Sequence, residues 1–97
     1  MTSIDKQLEH RRKKLRFRAW HRGIKEMDLI LGRYADEHLE QMSSTQMDRF
    51  SKLLKQPDDE MYKWVSGAKD VPEEFDNEIM KTLKSFRMIP VDFTTID

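Results

Sequence analysis

The sequence predicts a small all-α protein, a compact single-domain bundle of about five short helices. Three observations carry this. Apolar residues recur at steps of three and four along most of the chain, the spacing of one helical face. No stretch alternates apolar and polar residues as a half-buried strand would. The three glycines and three prolines fall mostly between the periodic stretches, where they punctuate helices. A chain of 97 residues suits one modest core. Cysteine is absent, which excludes disulfides, thiolate metal sites and cysteine nucleophiles, so helix packing alone must hold the fold.

The first helix is expected over residues 4–20, with Ile4, Leu8, Leu15 and Ala19 on one narrow sector and Phe17 and Trp20 on the opposite side. Gly23 interrupts the pattern. A second helix, residues 24–41, carries a stripe of Ile24, Met27, Leu31, Tyr34, Ala35 and His38, continuing to Met42. Ser43 followed by Gln46 at the third position onward reads as a capping box that opens a third helix, residues 44–55, whose face is Met47, Phe50, Leu53 and Leu54. Pro57 opens a fourth, residues 58–66, bearing Met61, Trp64 and Val65 and stopped by Gly67. Pro72 opens the fifth, residues 72–87, with Phe75, Ile79, Leu83 and Phe86 as its face. Acids sit near its start and bases near its end, as the helix dipole favours. Residues 88–97 lose the periodicity and read either as a frayed tail or as an extended segment that docks on a partner.

No convergent set of reactive groups stands out, so the chain is expected not to be an enzyme. His10, His21 and His38 lack the spacing of a metal site, and His38 sits on an apolar stripe where a core or boundary histidine is the ordinary outcome. Asp58, Asp59 and Glu60 cluster behind Pro57, where the simplest role is complementarity with a helix dipole. Nothing resembles a phosphate-cradling glycine loop, so no cofactor is expected to be held stably. No apolar run approaches the ~20 residues of a membrane span, and Asp5 and Glu9 interrupt what a signal or transit segment would need, so a cytosolic, membrane-free protein is expected.

Composition is balanced, with 18 basic and 18 acidic residues, but its distribution is not. Between Glu9 and Glu26 lie Arg11, Arg12, Lys13, Lys14, Arg16, Arg18, Arg22 and Lys25 with no acid among them. Such a helix serves nucleic-acid phosphates, steers an acidic protein partner, or is merely a solvated face. Phe17 and Trp20, opposite the Leu8 and Leu15 stripe, favour a binding surface. Overall neutrality argues against nucleic acid.

At the helix junction, Arg22-Gly23-x-x-Glu26 is followed two positions later by Asp28. Taken with the basic helix before it, the apolar helix after it, the Leu53-Leu54 helix, the spacing of Asp58 to Trp64 and the Pro-Glu start of the last helix, the chain resembles the succinate dehydrogenase assembly factors that promote flavinylation. The resemblance runs from about residue 11 to 86. It implies a five-helix bundle that binds the flavoprotein subunit of succinate dehydrogenase, and often of fumarate reductase, while FAD becomes covalently linked to a histidine of that subunit. FAD then belongs to the partner, and the free chain is expected to be a monomer. The motif residues carried over are Arg22, Gly23, Glu26 and Asp28; His21 stands where many relatives carry a further basic residue.

Helical geometry refines this. Glu26 projects away from the Met27/Leu31/Tyr34 stripe, with Lys25, Leu29 and Arg33 on the same outward side, so Glu26 is the contact residue and Leu29 a candidate apolar anchor. Asp28, at the stripe's edge, either contacts the partner or pairs internally with an arginine such as Arg22. Gly23 supplies either a turn with positive φ or a backbone open to close approach. Phe17, Trp20 and Lys25 complete the expected partner surface. Two rival functions remain: a nucleic-acid-binding or antitoxin-like regulator using the basic helix, and a flavin-binding carrier.

Overall fold

The computed structural model describes residues 3–87. Five α-helices form the bundle: α1 (Ser3–Trp20), α2 (Lys25–His38), α3 (Ser44–Leu54), α4 (Asp58–Ser66) and α5 (Glu78–Arg87). A single turn of 3-10 helix, Leu39–Gln41, extends α2, and another, Glu73–Phe75, precedes α5. There is no strand among the described residues. The possible docking tail, residues 88–97, lies outside them.

One contiguous core joins all five helices, including Leu15 and Ala19 of α1, Leu31 and Tyr34 of α2, Phe50 of α3, Trp64 of α4 and Leu83 of α5. Caps set where the helices begin and end. Ser43 and Gln46 form the complete capping box, with the Ser43 hydroxyl accepting from the Gln46 amide at 3.2 Å and the Gln46 side chain accepting from the Ser43 amide at 2.8 Å. Gly67 ends α4 at φ 83, the left-handed conformation that glycine adopts without a Cβ clash.

The last helix departs from expectation. Pro72 opens only the 3-10 turn; at Asp76 the backbone turns to φ -87 and ψ 77, outside the helical region. The Asn77 side-chain oxygen then accepts from the amides of Ile79 at 3.1 Å and Met80 at 3.3 Å. That is an N-cap, so α5 starts at Glu78 rather than at residue 72. Phe75 remains buried by stacking on Trp64, with ring centroids 5.4 Å apart.

α1 differs from the other helices because only Leu15 and Ala19 of its 18 residues are buried. Ile4, expected on its core face, is 67% exposed, and residues 3–7 are all exposed, since no other helix covers the first turns. Leu8 is the first apolar residue to touch the core. Arginines supply much of the remaining attachment. Arg11 pairs with Asp48 of α3, and Arg16 with Asp36 at 3.3 Å and Glu40 at 3.6 Å. Arg12 donates to the carbonyls of Leu39 at 3.1 Å and Met42 at 3.2 Å, where the second helical segment ends. Arg18 reaches Ser51.

Trp20 is likewise part of the packing and not a free aromatic on the far side. Gly32, inside α2, lets the indole lie against the helix backbone: a Cβ there would sit 2.2 Å from a ring carbon. The indole N–H donates to Asp36 at 3.2 Å. Trp20 is thus half-buried, whereas Phe17 is 56% exposed.

Candidate functional site

The four residues between α1 and α2, His21 to Ile24, carry the start of the Arg-Gly-x-x-Glu pattern. Ile24 is extended, at φ -119 and ψ 129, and its apolar side chain cannot cap α2. Two aspartates instead hold this connection from either side. Asp28, one turn into α2, reaches back and accepts from the Arg22 backbone amide. Asp58, at the start of α4, accepts from the Arg22 guanidinium through Oδ1 at 2.7 Å and from the Gly23 amide through Oδ2 at 2.6 Å.

The Arg22 side chain closes the arrangement. Besides the Nε contact to Asp58, its Nη1 donates to the Leu54 carbonyl at 2.6 Å and its Nη2 to the Gln56 carbonyl at 2.9 Å. Those carbonyls lie at the C-terminal end of α3 and just beyond it, where helix acceptors lack intrahelical partners. One guanidinium therefore ties the α1–α2 connection to the α3–α4 connection, a task that suits its planar fork of donors. The pair is well shielded, with the Arg22 side chain 11% and the Asp58 side chain 17% exposed.

Gly23 sits against that carboxylate: a Cβ would meet Asp58 Oδ2 at 3.2 Å. Its φ is not positive, so of the two roles open in the sequence the structure takes the close approach. Asp28 pairs internally, with the amide of Arg22 rather than with its guanidinium. The dipole role first given to Asp58 accounts for its position at the helix start but misses its partners, the Arg22 side chain and the Gly23 amide.

The other half of the pattern faces solvent. Lys25 and Glu26 are exposed in the first turn of α2, and Leu29 one turn on is half-buried. Near the end of α1, Phe17 stacks on His21 with centroids 3.9 Å apart and planes inclined by 14°. The His21 Nδ1 lies 2.7 Å from the Phe17 carbonyl, so that nitrogen carries the proton and donates. Arg33 is not part of this face: its guanidinium lies 4.6 Å from the Phe86 ring centroid and pairs with Glu37 at 3.0 Å. Trp20, also expected there, is engaged by Gly32 and Asp36.

The basic helix has a different surface from the one its sequence suggests. Arg11, Arg12, Arg16, Arg18 and Arg22 all hold partners within the chain, leaving Lys13, Lys14 and Lys25 as its exposed cations. Among the described residues no group of three potential ligands is placed to hold a metal ion, and no helix is long and apolar enough to cross a membrane.

Two features escaped the sequence reading. Asp58 was visible as an acid at a helix start, six residues ahead of Trp64, but not as the partner of Arg22 and Gly23; Gly32 was visible only as a glycine inside an otherwise helical stripe, a signal of close packing.

Fold and site together define a small all-α protein that clasps one half of a motif internally and presents the other half at the junction of its first two helices. The chain belongs to the family described as "Flavinator of succinate dehydrogenase", whose profile matches residues 13–87. It is 35% identical over 78 residues to succinate dehydrogenase assembly factor 2, mitochondrial, of Dictyostelium discoideum, covering 80% of this chain and 55% of that protein. The protein of the same name from Meyerozyma guilliermondii is 38% identical over 80 residues, covering 78% of this chain and 59% of the relative. Assembly factor 2-B of Drosophila mojavensis is 35% identical over 82 residues, or 82% and 52%. The chain thus spans between half and three-fifths of the length of these relatives.

The relatives are named as mitochondrial, which overturns the cytosolic placement expected from the sequence. That expectation rested on the lack of a long apolar run and on Asp5 and Glu9, and acids within a folded helix carry no information about compartment. The comparisons lend no support to a nucleic-acid-binding or antitoxin-like role.

Proposed function

We propose that this chain promotes covalent attachment of FAD to the flavoprotein subunit of succinate dehydrogenase by binding that subunit through the solvent-facing half of its junction motif. The observation that carries this reading is the division of the motif: Arg22, Gly23 and Asp28 are occupied within the chain, while Glu26 and Lys25 stand exposed beside a helix end that bears Phe17. Family membership supplies the partner class, since the relatives are named as succinate dehydrogenase assembly factors.

In this reading Glu26 makes a charged contact, the stacked Phe17 and His21 offer a rigid aromatic ledge, and Leu29 adds a small apolar footing. Lys13, Lys14 and Lys25 steer an acidic partner toward the surface, an effect on association rate more than on final affinity. The chain performs no bond-making step: the flavoprotein histidine and FAD react on the partner, and the chain holds a conformation of the partner in which they do so. It acts as a monomer, does not retain FAD by itself, and binds neither nucleic acid nor membrane.

The experiment is reconstitution. Purified flavoprotein subunit lacking covalent flavin is incubated with FAD, with and without this chain, and covalent flavin is read by in-gel fluorescence. The expected result is a marked increase with the chain present; equal fluorescence in both would remove the proposal. Flavin absorbance co-eluting with the isolated chain on gel filtration would favour the carrier role instead.

A further inference from the structure

The geometry points to Asp58 as a positioning residue for partner binding: its carboxylate, held by the Arg22 side chain, fixes the Gly23 amide and so sets how the end of α1 and the first turn of α2 are presented together. This inference rests on the reading of Glu26 as a partner contact.

The contact surface is discontinuous. Phe17 and His21 belong to the end of α1, and Lys25, Glu26 and Leu29 to the start of α2, so their relative placement depends on the short connection between them. Both central amides of that connection are held by carboxylates, Arg22 N by Asp28 and Gly23 N by Asp58. Asp28 is itself on α2 and ties the connection only to the helix that follows it. Asp58 comes from α4 and is the group that references the Gly23 amide to the rest of the bundle.

Asp58 cannot swing freely, because its second oxygen is held by Arg22 Nε at 2.7 Å while the Arg22 fork is held by the Leu54 and Gln56 carbonyls. Gly23 leaves the carboxylate room to reach the backbone, with a Cβ position only 3.2 Å from Oδ2. Two acceptor oxygens with a full charge are needed, one for each donor. An asparagine offers one oxygen and turns an NH2 group toward a donor, so it cannot satisfy both.

The test compares Asp58→Asn, Gly23→Ala, the double variant and Glu26→Ala, using purified flavoprotein subunit as the probe. Affinity is measured by calorimetry at low temperature and referred to the folded fraction from urea unfolding; the Gly23 amide is followed by NMR. Asp58→Asn and Gly23→Ala are each expected to weaken binding by roughly tenfold, the scale of one charge-assisted hydrogen bond. The double variant is expected to be little weaker than either single one, because both disrupt the same contact. The Gly23 amide resonance should move, and its hydrogen exchange quicken, in Asp58→Asn. A purely structural role would lower the folded fraction and leave the affinity of folded molecules unchanged, and that result would overturn the inference, as would strictly additive losses. Asp58→Asn could unfold the domain; Gly23→Ala, which removes no charge, then decides by the same affinity criterion. If Glu26→Ala also binds normally, the contact face itself has been misassigned; if only Glu26→Ala weakens binding, the positioning role alone fails.

Discussion

Within one motif, Arg22 and Glu26 do opposite things although they lie only four positions apart. Arg22 is 11% exposed along its side chain and has acceptors on three sides, whereas Glu26 is exposed in the first turn of α2. A pattern that reads as a single recognition element is therefore a structural half joined to a solvent-facing half. Residues that a partner never touches can still be indispensable to it, because they shape the backbone that carries the residues it does touch.

The sharpest way to break this comparison is to remove the clasp. Arg22→Ala leaves the Asp58 carboxylate and two carbonyls without their donor in a shielded site, and breaking such a pair costs about 3 kcal/mol or more. That is a large part of the stability of a small domain. Urea unfolding should show the loss, and Arg22→Lys should recover only part of it, because an ammonium is a compact point charge without the rigid fork. A small effect of Arg22→Ala would mean that the clasp is ornamental.

Trp20 and Gly32 test the inward side where no charge is involved. Gly32→Ala places a methyl 2.2 Å from the indole, so the ring or α1 must shift; overpacking of this kind costs about 1–3 kcal/mol. Tryptophan fluorescence and the urea midpoint should change together. An unchanged midpoint would place Trp20 among the loosely attached surface residues, with Phe17.

The arginines and lysines of α1 repeat the contrast. Arg12→Ala removes two side-chain bonds to carbonyls and should cost about 1–2 kcal/mol. Neutralising exposed Lys13 and Lys14 should leave stability within about 0.5 kcal/mol and instead slow association with the flavoprotein subunit, most visibly at low salt. Faster dissociation with unchanged association would make these lysines direct contacts.

The core sets a separate, alkaline limit. Burial, and then the nearby Glu78 carboxylate, push the Tyr34 phenol from 10.0 up to about 12. Folding therefore favours its neutral form: this contribution is intact below pH ~10 and is lost as pH rises toward 12. Tyr34→Phe should flatten that part of the stability profile; an identical slope in both proteins would assign the alkaline loss to other groups.

Much of the fold was legible because helix periodicity and caps are local. The Met47/Phe50/Leu53/Leu54 face, the Ser43 and Gln46 capping box and the Gly67 stop all depend on residues within a few positions of one another. Legibility failed where a distant residue decided the outcome. Ile4 fits the stripe of α1 but finds no helix over it; Trp20 lies off that stripe yet is received by Gly32; and Asn77 takes the cap that Pro72 seemed to mark. At the site, periodicity alone put Glu26 outward. The partners of the Arg22 guanidinium and of the Gly23 amide stand more than thirty residues away, and no spacing rule within the motif encodes them.

The most direct test of the divided motif is Glu26→Ala, assayed for urea stability and for flavinylation of the purified subunit in the same preparation. Loss of an exposed acid from the first turn of α2 should cost about 0.5 kcal/mol or less. Covalent flavin on the subunit should nevertheless fall markedly. A variant as active as the original protein, or one destabilised as severely as Arg22→Ala, would contradict the account, because Glu26 would then be either dispensable or part of the clasp.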